Sequence, residues 1–83
     1  MKAIKLFVAD MPSFFKVVNS CSGRVLVTDS SGTSFDLRNN VFLQELLLTA
    51  HKGSDQTEIN LNVEKDSDFA SFLDFMMSDR IAS

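Results

Sequence analysis

Eighty-three residues carry 8 Lys and Arg against 11 Asp and Glu, for a net charge of −3 and a hydrophobic fraction of 45%. A chain of this length supports one core, so 1–83 reads as a single domain, and its ordinary globular composition excludes wholesale disorder. The basic residues are scattered rather than gathered in a stripe, which argues against a nucleic-acid partner, and the longest uncharged apolar run, Leu46 to Ala50, falls far short of the roughly 20 residues that span a bilayer.

Lys2 and Lys5 lie inside an alternating pattern, unlike the continuous apolar segment of a signal peptide. The single cysteine, Cys21, has no intrachain partner for a disulfide and no second thiol for a metal site, so a reducing, cytoplasmic setting without metal or cofactor is expected. Residues 1–54 hold six bases and four acids, whereas 55–83 hold two bases and seven acids. The acidic end reads as a solvated helix face.

Residues 2–8 alternate, with Ile4, Leu6 and Val8 opposed by Ala3, Lys5 and Phe7, as in a half-buried strand. Asp10 supplies a helix-capping carboxylate and Pro12 fits a first helical turn. Phe14, Val17, Val18 and Cys21 follow at three- and four-residue steps, which predicts a helix over 11–21, with Gly23 ending it in the left-handed conformation.

Arg24 to Thr28 is rich in Val and Leu, Asp29-Ser30-Ser31-Gly32 has turn chemistry, and 33–37 alternates with Phe35 and Leu37 facing together, so a hairpin is expected. Asn39 and Asn40 offer the cap of a second helix over 41–50, stopped before Gly53. Its spacing turns Phe42, Leu46 and Thr49 inward and leaves Val41, Leu43 and Leu47 on another arc. Residues 57–63 alternate cleanly, Ile59, Leu61 and Val63 against Glu58, Asn60 and Asn62. Asp66 and Ser67 have the chemistry to cap a last helix ending near Asp79, with an inward stripe of Phe69, Phe72, Leu73 and Met76 opposed by Asp68, Ser71 and Asp74.

The order β-α-β-β-α-β-α, with half-wet strands and striped helices, predicts an α+β open-faced β-sandwich: a four-stranded antiparallel sheet with three helices on one face. This order, the proline that opens the first helix after Ala9-Asp10-Met11, the Val25-Leu26-Val27-Thr28 strand before its turn, and Gly53 ahead of Thr57-Glu58-Ile59-Asn60-Leu61 resemble the HPr phosphocarriers of the bacterial sugar phosphotransferase system.

The resemblance implies a phosphorylatable histidine in a His-x-Arg-Pro motif at the mouth of the first helix, where free amides and the helix dipole stabilise a phosphoryl group. Aligned on Pro12, that histidine position holds Ala9 and the arginine position holds Met11, so neither the nucleophile nor its cation is present. Asp10 remains a weak acceptor candidate, because carboxylates accept phosphoryl groups, but a cap explains it equally well. His51, the chain's only imidazole, falls at the far end of the second helix; element order separates it from the family's active position, and a surface place is expected. The regulatory serine of many relatives falls at Asn39, Asn40 or Val41, none of which carries a hydroxyl. A catabolite-repression relative that lacks the histidine keeps this serine, so the chain does not copy that variant either.

The resemblance also implies a partner surface at the start of the second helix, here Met11, Val41, Leu43 and Leu47, with some of these side chains exposed. The expected function is a non-phosphorylatable interaction or regulatory module related to the phosphotransferase system, not an enzyme, whose partners are proteins. The alternatives are an active phosphocarrier with a non-histidine acceptor such as Asp10, and an unrelated split-βαβ association domain. Eight Phe without Trp or Tyr read as core packing, and Gly23, Gly32 and Gly53 form no phosphate-cradling motif.

Overall fold

Alternation of apolar and polar residues places one face of each long strand against helices and the other in water. A computed structural model of the chain describes residues 1–29 and 31–82, the side chains through Met77. Strand β1 (Lys2–Val8) buries Leu6 and Val8, and β4 (Thr57–Val63) buries Ile59, Leu61 and Val63, while Lys5, Phe7, Glu58 and Asn60 face outward. The two strands pair antiparallel over their whole length, from Lys2↔Val63 to Val8↔Thr57. Strands β2 (Val25–Thr28) and β3 (Ser34–Asp36) form the expected hairpin. Of the turn at Asp29-Ser30-Ser31-Gly32, Ser30 lies outside the described residues. Gly32 has φ +91°, a value that favours glycine, and its amide donates to the Asp29 carbonyl.

All four strands form one antiparallel sheet in the order β1-β4-β2-β3. With α1 (Met11–Ser20), α2 (Val41–His51) and α3 (Asp66–Ala82) on the buried face, the architecture is the expected open-faced α+β sandwich, consistent with the HPr type. Phe14 is its aromatic hub, with ring centroids 6.0 Å from Phe72 and 5.8 Å from Phe75. The α3 backbone continues past Asp79 to Ala82.

Four local expectations change. Gly23 does not adopt the left-handed conformation; α1 ends at an extended Cys21. Gly23 is small for a packing reason, since a Cβ there would lie 2.6 Å from Cγ of Lys65. Asp68 is not on a solvated face but buried, because its carboxylate accepts the Ser22 amide at 3.2 Å and the Gly23 amide at 2.8 Å, satisfying the chain where it leaves α1. Turning Asp68 inward keeps Phe72 in the core as expected, adds Phe75 to it and leaves Leu73 exposed; the last helix also starts at Asp66 itself, which pairs with Lys2 at 3.3 Å rather than capping.

Candidate functional site

Two regions gather the residues that the sequence singled out: the mouth of α1 and the flanks of α2. At the mouth, Asp10 is the cap. Its Oδ1 accepts the Ser13 amide at 3.2 Å, and its Oδ2 accepts the Ser13 hydroxyl at 2.7 Å. These bonds, the hydroxyl first, hold the carboxyl below its ordinary value of 3.8. Pro12 occupies the first turn, where its missing amide hydrogen costs little. Met11 is 1% exposed and belongs to the core, which corrects its assignment to a partner surface. The reason lies in its spacing: Met11, Phe14 and Val18 stand at i, i+3 and i+7 on one stripe.

His51 is not on the surface as expected but half-buried, and it reaches this mouth from the other end of α2. Nε2 lies 3.1 Å from the Ala9 carbonyl and Nδ1 lies 2.6 Å from Oγ1 of Thr57. A carbonyl only accepts, so Nε2 carries a hydrogen; Nδ1 then accepts the threonine hydroxyl when the ring is neutral. The imidazole thus stands against Ala9, at the start of the turn that leads into α1. Element order hid this closeness, because α2 runs antiparallel to α1 and returns its last turn to the end of β1.

At the other end of α2, Asn40 caps the helix by accepting the Leu43 amide, and Asn39 holds φ +53° with its amide donated to Asn19 Oδ1. Val41 is 65% exposed. The stretch Asn39-Asn40-Val41 is therefore a helix cap followed by an open surface residue.

The phase of α2 differs from the expectation. Gln44 is buried, its amide nitrogen donating to the Leu37 carbonyl at 3.0 Å and to Asn19 Oδ1 at 2.8 Å. Gln44 and His51 are seven residues apart on one face, so two polar anchors fix which side looks inward. Leu43 and Leu47 lie beside them and pack half-buried against the core, which corrects their placement on an exposed arc. Phe42 and Leu46, expected inside, are instead 65% and 54% exposed, and Thr49 is exposed too. The signal available in the sequence was the seven-residue spacing of the two hydrogen-bonding side chains.

The displaced residues build a groove. Phe42, Leu43, Leu46 and Leu47 of α2 form one wall, Phe35 and Val27 of the hairpin face them, and the start of β4 with Ile59 closes the end. The opening has a volume of about 630 Å³ and lies where the β2 to β4 pairing has stopped, at Val27↔Leu61. Apolar side chains dominate it, which suits contact with another apolar surface.

Cys21 shows no activation. Burial first, and Asp68 second, push its thiol up to about 11, so the thiolate is scarce at neutral pH. Among the described residues, no group of three His, Cys, Asp or Glu side chains is placed to hold a metal ion, and no helix is long and apolar enough to cross a membrane. No family model, curated protein or solved structure matches this chain.

Proposed function

We propose that this chain is a non-enzymatic interaction or regulatory module, similar to HPr in architecture and docking on protein partners of the phosphotransferase system without relaying phosphate. The carrying observation is the exposure of Phe42 and Leu46 beside Phe35 on one groove, in a domain whose other large aromatic side chains mostly serve the core. The absent nucleophile at Ala9 and absent cation at Met11 support the same reading. The test is a titration of isotopically labelled protein with enzyme I and with sugar-specific transport subunits, read by amide chemical shifts. The expected shifts lie along α2 and the hairpin, and a Phe42→Ser and Leu46→Ser double variant loses them. Shifts confined to the wet sheet face contradict docking at α2, and no shift with any of these proteins contradicts the proposed partners.

One contact favours a second reading. His51 stands against Ala9, so a phosphocarrier with its acceptor on α2 would place the imidazole near the usual mouth. Phosphorylation at Nε2 requires breaking the bond to the Ala9 carbonyl, and at Nδ1 the bond to Thr57. Both ring nitrogens already serve the fold, which favours the first reading. Asp10 is engaged in the same way, by Ser13 at both oxygens.

A further inference from the structure

We infer that the open edge of β1 pairs with the same edge of a second copy of this chain, the two strands antiparallel about a two-fold axis and the apolar flanks of the two α3 helices meeting above them. Strand β1 ends the sheet, so one side of its backbone has no neighbouring strand. The Glu64 amide donates to the Arg24 carbonyl, which turns the even-numbered residues of β4 toward β2 and the odd-numbered ones toward β1. With Lys2 opposite Val63, the backbones of Lys2, Ile4, Leu6 and Val8 therefore bond to β4, and the amides and carbonyls of Ala3, Lys5 and Phe7 point out of the sheet. Among the described residues, nothing bonds to these outward groups. The opposite edge is blunted: β3 spans three residues, the Asp36 carbonyl accepts from Asn40 Nδ2 at 3.3 Å, and the Asp36 carboxylate is held by Arg38.

The helix layer on the same side selects the occupant. Ser71 and Asp74 line a cleft with α1, so the flank of α3 that carries Phe69, Leu73 and Met77 looks away from α1. The Lys2 ammonium lies 5.3 Å from the Phe69 ring centroid, which places that flank above β1. Leu73 and Met77 are 42% and 64% exposed. An added strand alone satisfies the edge and leaves these side chains in water, and an added helix alone covers them and leaves the backbone groups unbonded. The occupant must present a strand edge with an apolar helix flank above it, and this chain carries that pair. A two-fold axis perpendicular to the sheet keeps both helix layers on one face, so edge meets edge and flank meets flank in one contact. Charge fits the contact when Leu6 stands opposite Leu6 of the second copy. Each Lys5 then faces Phe7 of the other copy, the two lysines stay apart, and Glu58, 3.6 Å from Lys5, balances its charge.

Sedimentation equilibrium from micromolar to millimolar protein gives the oligomeric state, and amide hydrogen exchange gives the location. The mass is expected to rise from one chain toward two, with exchange at Ala3, Lys5 and Phe7 slowing as concentration rises and exchange in β3 unchanged. Lys5→Pro removes an outward amide hydrogen and keeps the bonds from β1 to β4, because proline is tolerated on the free side of an edge strand. The two-fold axis doubles that loss, so the dissociation constant is expected to rise at least about tenfold with little change in melting temperature. Leu73→Glu with Met77→Glu is expected to weaken the dimer as much by bringing like charges together across the axis, and it serves as the test if proline disturbs the strand. A strict monomer overturns the inference. A dimer that both variants leave intact overturns it too, as does one that Phe42→Ser with Leu46→Ser abolishes, since the contact then lies at the groove. A monomer whose Ala3, Lys5 and Phe7 amides slow only when enzyme I is added overturns the second copy in favour of a strand from another protein. None of these results bears on docking at α2, which the titration with phosphotransferase proteins decides separately.

Discussion

His51 and Ala9 lie 42 positions apart in sequence and are joined by a hydrogen bond of 3.1 Å from the imidazole Nε2 to the backbone carbonyl. The other ring nitrogen meets the Thr57 hydroxyl, so one side chain ties the last turn of α2 to the ends of β1 and β4. Replacing His51 with Ala removes both bonds and leaves a partly buried carbonyl and hydroxyl to find water. Stability is expected to fall by about 1–3 kcal/mol in urea denaturation. Amide exchange should quicken in α2 before it does in β4, because the helix depends on this tether more than the paired strand does.

The core and the groove differ in what truncation does. Phe14 is fully buried among Phe72 and Phe75, so Phe14→Ala should cost about 3–5 kcal/mol. Phe42 is 65% exposed, and Phe42→Ser should change stability by no more than about 0.5 kcal/mol. Thermal melts of the two variants check the contrast; comparable losses would show that α2 closes on the sheet in solution.

Asp68 joins α3 to the exit of α1. Asp68→Ala leaves the buried Gly23 amide without its acceptor, for an expected loss of about 1–3 kcal/mol, and Asp68→Asn, which keeps one acceptor oxygen, should lose less. A difference between the two variants in chemical denaturation supports the hydrogen bonds; equal losses would point to packing alone.

Asp10 gives a pH dependence of known sign. Its folded carboxyl titrates below the unfolded value of 3.8 because Ser13 bonds to the charged form. Its stabilisation is therefore complete above the unfolded value and lost as pH falls through the folded one. Asp10→Ala should cost about 1 kcal/mol at neutral pH and progressively less in acid, where the native cap is itself protonated. Denaturation at neutral pH and again well below the folded titration measures that convergence.

Much of this architecture was legible in residue pattern, and three of the misreadings share one cause. The strands of β1 and β4 follow from two-residue alternation, and the caps at Asp10 and Asn40 follow from side-chain chemistry. The phase of α2, the burial of Asp68 and the closeness of His51 to Ala9 depend on polar side chains that satisfy backbone groups distant in sequence. Apolar periodicity does not register those partners: in α2, Val41, Phe42, Leu43, Leu46, Leu47 and Leu48 spread around the helix, so Gln44 and His51 decide its orientation. Met11 was a different case, since its place in the core follows from the same stripe as Phe14 and Val18.

The central claim, that the mouth of α1 relays no phosphate, is tested most directly by the intact mass of the chain after incubation with phosphoenolpyruvate and enzyme I, under conditions that preserve acid-labile phosphoryl groups. The mass is predicted to remain unchanged while an HPr control in the same mixture gains a phosphoryl group. A phosphoryl adduct on this chain, located to His51 or Asp10, would contradict the claim.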